Sequence, residues 1–147
     1  NNIIVDLDGT LANIEHRLHF VLEGKKDWDG FFRACVDDLP NQDVIDAVSL
    51  LADSSSVPVN IHIFSGRNEV VRAETVEWLD KHLTFKYSLT MRPDRDRRPD
   101  HVLKKALVQE QGLSSSNVLC VFDDRKSVVD MWRKEGFSCF QVADHDF

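Results

Sequence analysis

The sequence predicts an α/β fold in which helices cover both faces of a central parallel sheet, giving a three-layer sandwich. Two observations lead to this prediction. Short apolar runs typical of buried strands alternate along the chain with segments whose apolar residues recur at helical spacing. The length of 147 residues also suits one hydrophobic core. We therefore expect a single domain over residues 1–147.

The first third of the chain contains one strand and three short helices. Residues 3–6 form the first strand, because three β-branched apolar residues lead there into an aspartate. Residues 13–23 place apolar side chains at helical spacing, Asp27 is a suitable cap for a second short helix, and a third helix is expected over 41–52. Residues 13–40 are long for a single connection, so we expect them to form a small helical cap.

The remaining elements alternate in the same way. A polar loop is expected at residues 54–56, and the next strand at 58–64, where apolar side chains occupy alternate positions. The elements expected after it are a helix over 71–82, a weaker strand over 87–91, a helix from 103 that ends at Gly112, a central strand over 118–122, a helix over 128–134 and a last strand over 139–142.

Composition restricts the possible classes of function. Hydrophobic residues make up 42% of the chain and charged residues 29%, as in ordinary globular domains. No apolar run is long enough for a membrane span and no signal peptide is evident, so we expect a cytoplasmic protein with no membrane partner. The net charge of −7 argues against a general basic coat for nucleic acid but permits a local basic groove. Cys35, Cys120 and Cys139 are odd in number and widely spaced, which indicates reduced core thiols.

Polar residues follow three of the predicted strands. In open parallel sheets, ligands bind beyond the carboxyl ends of the strands, so these residues are the candidates for a site. They are Asp6, Asp8 and Thr10 after the first strand, Ser65, Gly66 and Arg67 after the second, and Asp123, Asp124 and Arg125 after the central one.

Two acidic pairs at one sheet edge predict a bound cation. Four carboxylates in one crevice would repel one another strongly unless a positive charge lay among them. A set of oxygen ligands without His or Cys favours Mg²⁺. The alternative is that these aspartates only form turns, which would be favoured for a single Asp-x-Asp pair. The second pair, Asp123 and Asp124, reverses that balance.

Four motifs resemble the signatures of the haloacid dehalogenase-like (HAD-like) phosphohydrolases. In chain order they are Asp6-Leu7-Asp8-Gly9-Thr10, Ser65, Lys104 and Asp123-Asp124. The resemblance implies a Rossmann-like fold with a small helical cap after the first strand.

A finer resemblance is to the 3′-phosphatase domain of phage polynucleotide kinase-phosphatase. It rests on the segments 65–67, 98–104, 122–125 and 139–143, and it runs from the first strand to Phe147. The segment between Asn13 and Pro40 departs from this pattern by its greater length.

The resemblance assigns chemical roles. It implies that Asp6 attacks phosphorus to form an aspartyl-phosphate, and that Asp8 is the general acid and base, with a pKa raised by neighbouring acids. Lys104 would neutralise the developing charge. Its spacing to Asp100 favours it over Lys105, the alternative being a solvated helix lysine. The implied Mg²⁺ ligands are Asp6, Asp8 through its carbonyl, Asp123 and Asp124.

Other residues are implied to bind substrate. They are Thr10, Ser65, Gly66, Arg67, Arg17, Arg98 and Asp100. Thr10 would hold Asp8 in position, and the planar guanidinium of Arg67 suits phosphate. The arginine-rich segment 92–98 is either a solvated loop with internal ion pairs or a loop that follows a nucleic-acid backbone. Core packing is favoured over base stacking for four aromatic residues at helical spacing, Phe20, Trp28, Phe31 and Phe32.

We therefore expect a Mg²⁺-dependent phosphomonoesterase that removes 3′-phosphates from nucleic-acid ends. One alternative is a phosphatase of deoxynucleoside 5′-monophosphates, favoured by the negative net charge and small size. Another is an inactive module that only binds phosphorylated ends, against which the intact acidic motifs argue. The chain lacks the Gly-Lys-Ser/Thr loop of a kinase, so kinase activity is not predicted for it. A kinase or ligase partner domain, joined covalently or not, is compatible with this prediction.

Overall fold

The computed structural model describes residues 1–54 and 56–147. Its strands are β1 (Asn2–Val5), β2 (Ala12–Asn13), β3 (Leu39–Pro40), β4 (Asn60–Asn68), β5 (Tyr87–Arg92), β6 (Val118–Arg125) and β7 (Cys139–His145). Its α-helices are α1 (His19–Leu22), α2 (Trp28–Arg33), α3 (Gln42–Ser54), α4 (Arg72–His82), α5 (Asp100–Glu110) and α6 (Lys126–Lys134). Short 3₁₀-helices occupy Glu15–Arg17, Ala34–Asp37 and Glu69–Val71.

The central sheet of the described residues has five parallel strands in the order β5-β4-β1-β6-β7. Strand β1 lies in the middle and pairs with β4 on one side and β6 on the other. The sheet carries helices on both faces, so the predicted α/β fold is confirmed.

The side chains of β1 alternate between two hydrophobic clusters. Ile4 belongs to a cluster with buried residues of α5 and α6, such as Leu103 and Trp132. Ile3 and Val5 belong to a second cluster with residues of α3 and α4. This alternation follows from the two-residue period of a strand, and it buries β1 on both faces. The aspartate that follows β1 is therefore held at the centre of a rigid sheet.

The segment 13–40 forms short helices between β2 and β3, which pair in an antiparallel ribbon. The single helix predicted over 13–23 is wrong: a 3₁₀ turn at Glu15–Arg17 is followed by the four-residue helix α1. The prediction that Asp27 is the N-cap of a short helix is confirmed, because its side chain accepts a hydrogen bond from the Gly30 amide at 2.9 Å. Ile14, Leu18, Val21 and Phe31 form a separate small core beneath these helices.

Three strands extend beyond their predicted ends. The predicted ends at Phe64, Phe122 and Val142 are wrong, because strand assignment continues to Asn68, Arg125 and His145. The predictions stopped where the apolar runs stop, whereas backbone pairing continues through the polar residues, as in the pairing of Asp123 with Gln141. The polar residues near the strand ends are thus held by the sheet itself, which fixes their backbone positions.

Smaller predictions have mixed outcomes. Helix α3 continues through Ser54, where a loop was predicted, and Ser55 of that predicted loop lies outside the described residues. Cys35, Cys120 and Cys139 are buried free thiols, as predicted. Within the described ranges, no helix combines the length and apolar character needed to cross a membrane.

Candidate active site

The pairing of β1 with β6 brings acidic side chains together. Val5 is paired with Phe122, and the Asp6 amide continues the pairing by donating a hydrogen bond to the Phe122 carbonyl at 2.9 Å. This register places Asp6 beside Asp123. Asp6, Asp123 and Asp124 are buried, and carboxylate oxygens from the three lie within 4.8 Å of one another.

Lys104 supplies positive charge to this cluster from helix α5. Its Nζ lies 2.6 Å from Asp6 Oδ1 and 3.2 Å from Asp123 Oδ2, and the side chain is 1% exposed. Burial acts to lower the pKa of Lys104, but Asp123 and Asp6 together raise the pKa well above its usual value. The structure therefore buries Lys104 as an ammonium ion, unlike the solvated lysine considered as the alternative. Its neighbour Lys105 lies at the surface and pairs with Glu135.

One ammonium group does not balance the carboxylates around it. Burial and the adjacent Asp123 raise the pKa of Asp6 well above its usual range despite Lys104. The pKa of Asp123 is also raised, to about 6, because burial and the negative charge of the neighbouring Asp124 outweigh the positive charge of Lys104. A divalent cation among these oxygens would remove that electrostatic cost. The carboxylates of Asp6, Asp123 and Asp124 are close enough to bind one ion together, and oxygen ligands of this kind fit a hard cation.

An indole N–H, an imidazole and a hydroxyl group orient this donor set. Trp132 Nε1 donates a hydrogen bond to Asp123 Oδ2 at 3.0 Å, and His145 Nδ1 lies 2.5 Å from Asp124 Oδ2. The hydroxyl of Thr10 donates a hydrogen bond to Asp6 Oδ2 at 3.0 Å. The prediction that Thr10 holds Asp8 is therefore wrong, because the turn after β1 directs Thr10 back towards Asp6.

Gly9 is required where this turn passes the acidic cluster. Its φ of +83° is in the left-handed region, and a Cβ atom there would overlap the carboxylate of Asp124. The turn is closed by the Leu7 carbonyl, which accepts hydrogen bonds from the amides of Thr10, Leu11 and Ala12. Because Gly9 has no side chain, the turn after β1 can pass directly against the Asp124 carboxylate.

Asp8 lies in a separate ion-pair cluster. Arg17 NH2 is 2.6 Å and Arg67 NH2 2.7 Å from Asp8 Oδ1. Burial alone would raise the pKa of Asp8, but the two guanidinium groups hold it well below its usual range. The predicted upward shift is wrong, because the nearest charges to Asp8 are arginines rather than the other aspartates.

The sequence prediction missed Asp38, which completes this cluster. Asp38 accepts hydrogen bonds from Arg17 Nε at 2.8 Å, from Arg17 NH2 at 2.6 Å and from Arg67 NH2 at 3.2 Å, and its side chain is fully buried. Arg67 also donates a hydrogen bond to the Thr75 hydroxyl at 3.0 Å. No local pattern marks Asp38, because its position before Leu39-Pro40 is typical of a surface turn. Two arginines and two aspartates thus form an electrically balanced group, in which Asp8 is the partly exposed member.

The residues predicted to bind phosphate after the second strand, Ser65 and Gly66, lie within β4, where Gly66 packs against the start of α5. Ser65 is buried, and its Oγ accepts a hydrogen bond from the Arg67 amide at 3.1 Å. A Cβ atom on Gly66 would overlap the carboxylate of Asp100, so glycine is needed for this approach. Asp100 Oδ2 also lies 3.6 Å from Lys104 Nζ. The structure thus brings Gly66 and Asp100 to the edge of the acidic cluster, and Ser65 precedes Gly66 in β4.

The arginine-rich segment has the internal ion pairs of the first interpretation offered for it. Arg98 is exposed and pairs with Asp96 through contacts as short as 2.7 Å, and Arg92 donates hydrogen bonds to the carbonyls of Gly66 and Arg98. Internal pairing is therefore present. The same segment also lines the large pocket that contains Asp6.

This pocket has a volume of about 710 Å³ and three kinds of lining. Its acidic part contains Asp6, Asp8 and Asp124, and its basic rim is formed by residues 92–98. Its third wall is aromatic and consists of Trp28, Phe31, Phe32 and Phe147. Phe31 is buried in the small core, whereas Trp28 and Phe32 are only partly buried.

The family model described as the polynucleotide kinase PNKP phosphatase domain matches residues 1–147. A protein of Autographa californica nuclear polyhedrosis virus named as a bifunctional polynucleotide kinase/RNA ligase is 33% identical over 132 residues, which are 89% of this chain and 17% of that protein.

Two chains of solved structures are similar over 99% of this chain. One is from the Pnkp1/Rnl/Hen1 RNA repair complex, with a TM-score of 0.78, 32% identity and 43% of that chain covered. The other is from a Pnkp1/Rnl/Hen1 complex, with a TM-score of 0.78, 33% identity and 46% of that chain covered. The present chain therefore spans less than half of each of these relatives.

The substitution Asp38→Asn tests the balanced ion-pair cluster. It removes the buried one of the two carboxylates that compensate Arg17 and Arg67, and loss of one partner from a buried ion pair costs about 3–5 kcal/mol. We expect a decrease of that order in the free energy of unfolding, measured by urea denaturation. The matched control Asp37→Asn changes the exposed neighbour and is expected to stay within about 0.5 kcal/mol of the unmodified protein. Equal effects of the two substitutions would contradict a structural role for Asp38.

Proposed function

The chain belongs to the family of polynucleotide kinase PNKP phosphatase domains, and on this premise we propose that it removes 3′-phosphates from the ends of nucleic-acid strands. Membership makes the chain a phosphatase of the HAD-like superfamily, and the predicted resemblance is confirmed. The observation that carries the proposal is the continuity of the buried Asp6–Lys104 pair with a pocket of about 710 Å³. Such a pocket is of the size that binds a nucleotide-like ligand.

In the first step of the proposed reaction, Asp6 is the nucleophile. One of its carboxylate oxygens attacks phosphorus, the bond to the 3′-oxygen breaks, and an aspartyl-phosphate forms. Lys104, whose Nζ is 2.6 Å from Asp6 Oδ1, would stabilise negative charge on the transferred group. Thr10 would orient the carboxylate through its hydrogen bond to Asp6 Oδ2.

Asp8 would transfer the proton in both steps. It is ionised in the structure because Arg17 and Arg67 hold its pKa low. A phosphate dianion bound beside it raises its pKa, since nearby negative charge favours the protonated form. The protonated carboxyl then gives its proton to the departing 3′-oxygen. In the second step, ionised Asp8 takes a proton from water, which attacks phosphorus and releases inorganic phosphate from Asp6.

The acidic cluster would hold Mg²⁺. Asp6, Asp123 and Asp124 offer oxygens within 4.8 Å of one another, and the Asp8 carbonyl is a further proposed ligand. Such an ion, when bound, would supply positive charge that offsets the charge on the nucleophile and the phosphate. Ser65 and Gly66, at the edge of the cluster, would contact phosphate oxygens, with Asp100 holding Lys104 and Gly66 in place.

Further activities would belong to other parts of a larger assembly. The named viral relative is a polynucleotide kinase/RNA ligase, and the structural relatives come from RNA repair complexes. These names support phosphorylated nucleic-acid ends as the substrate and a kinase or ligase domain as the partner, within one chain or in a complex. The proposal for this domain is limited to the phosphatase step.

The proposed function is tested by phosphate release in MgCl₂. We expect a higher kcat/KM for a 3′-phosphorylated oligonucleotide than for a deoxynucleoside 5′-monophosphate. Preference for the monophosphate would instead assign the chain to 5′-nucleotidases, and binding without turnover would assign it to inactive end-binding modules. Asp6→Asn should lower kcat by at least about 10³-fold, because it removes the nucleophile. The exposed control Asp144→Asn should retain activity.

The raised pKa values predict a pH-dependent affinity for Mg²⁺. The pKa of Asp123 is about 6 and that of Asp6 is also raised, so protons compete with the metal at acidic pH. We expect calorimetric titration to give a weaker affinity at pH 5.5 than at pH 7.5, with protons released on binding. Asp123→Asn should weaken binding at both pH values and reduce the difference between them. An affinity that does not change over this range would contradict the proposed site.

A further inference from the structure

Four guanidinium groups in or beside the pocket are already occupied by protein acceptors, whereas Arg95 and Arg97, which also line it, are exposed on its rim. Arg17 and Arg67 pair with Asp8 and Asp38, and Arg92 donates hydrogen bonds to backbone carbonyls. Arg98 is held by Asp96. A substrate that entered the pocket would have to break these contacts in order to use any of these side chains.

Arg125 differs from these arginines. It follows Asp123-Asp124 directly at the end of β6 and lines the pocket, and its side chain is 19% exposed. Among the described residues, its Nε is the one buried side-chain nitrogen or oxygen without a hydrogen-bond partner. An unpaired donor of this kind has a large desolvation cost unless a ligand or water accepts from it.

Aromatic rings hold the Arg125 guanidinium in place. Its Cζ lies 4.7 Å from the ring centroid of Phe147 and 5.8 Å from that of Trp28. In both contacts the guanidinium lies over the face of the aromatic ring, and no protein group accepts a hydrogen bond from its Nε. The group is thus oriented by its neighbours while its donors stay available, which is the arrangement that suits bidentate binding of a phosphate.

The position of Arg125 separates it from the attacked phosphorus. Its NH1 is 3.9 Å from Asp100 Oδ2, and that oxygen is 3.6 Å from Lys104 Nζ. Lys104, not Arg125, contacts the nucleophile Asp6. Arg125 therefore lies one side chain further out along the pocket, beside the partly buried ring of Trp28.

We infer that Arg125 binds the phosphodiester that joins the terminal nucleotide to the rest of the strand. The inference rests on the proposed function, which supplies a 3′-phosphorylated strand as the substrate. Its consequence is that Arg125 lets the site distinguish a strand end from a mononucleotide, because only a strand carries a second phosphate. The residue thus determines substrate specificity and takes no part in the chemical step.

The test compares two substrates with the same scissile group. A 3′-phosphorylated oligonucleotide carries the neighbouring phosphodiester, and a nucleoside 3′-monophosphate lacks it. Arg125→Gln should lower kcat/KM for the oligonucleotide about 10- to 100-fold more than for the monophosphate, mainly through KM, as expected for loss of a charge-assisted hydrogen bond. The matched control Arg33→Gln removes an exposed arginine outside the pocket and should leave the ratio of the two kcat/KM values unchanged.

Other outcomes would overturn the inference. Equal losses on both substrates would place Arg125 at the scissile phosphate or in the fold, and no loss on either would remove it from the site. Arg125→Lys keeps the charge and should show a smaller selective loss, so it provides the same comparison if the Gln variant does not fold. Failure of the proposed function is distinguished by the unmodified protein, which would then prefer the 5′-monophosphate or release no phosphate from the oligonucleotide.

Discussion

The concentration of buried carboxylates at the end of β1 and β6 is the constraint on which the rest of the site depends. Asp6, Asp123 and Asp124 cannot separate, because Asp6 continues the parallel pairing of two central strands. Lys104 offsets part of their charge, and the pKa of Asp123 rises to about 6 because the compensation is incomplete. A fold that keeps these groups apart from solvent without a cation would be less stable than one that binds a cation there.

A second charged cluster, in which the positive and negative charges balance, lies beside the acidic cluster. Asp8 is only two residues from Asp6, yet it pairs with Arg17 and Arg67 rather than with Lys104. Asp38 contacts the same two guanidinium groups. Two carboxylates that are two residues apart therefore have opposite pKa shifts, raised for Asp6 and lowered for Asp8. The proposed roles require the reverse, an ionised Asp6 and a protonated Asp8, which a cation bound at Asp6 and a phosphate bound beside Asp8 would favour.

The sheet and the acidic motifs could be predicted from the sequence because both are local patterns. The run Ile3-Ile4-Val5 indicates a strand, and the polar residues after it follow a rule about parallel sheets. Other features depend on contacts between distant residues. Asp38 and Arg67 form an ion pair although they are 29 residues apart in the sequence, and His145 contacts Asp124 over a separation of 21 residues. No spacing in the sequence indicates either pair. The pKa of Asp8 was predicted with the wrong sign for the same reason.

The most direct test of the buried carboxylate cluster is a crystal structure of the protein with Mn²⁺ in place of Mg²⁺, recorded with anomalous scattering from the metal. One strong anomalous peak should lie between Asp6, Asp123 and Asp124, with oxygens of Asp6 and at least one of the other two as ligands. Lys104 should remain beside Asp6. A peak at another acidic group, or no peak in this cluster at a saturating concentration of Mn²⁺, would contradict the proposal that these carboxylates form a cation site.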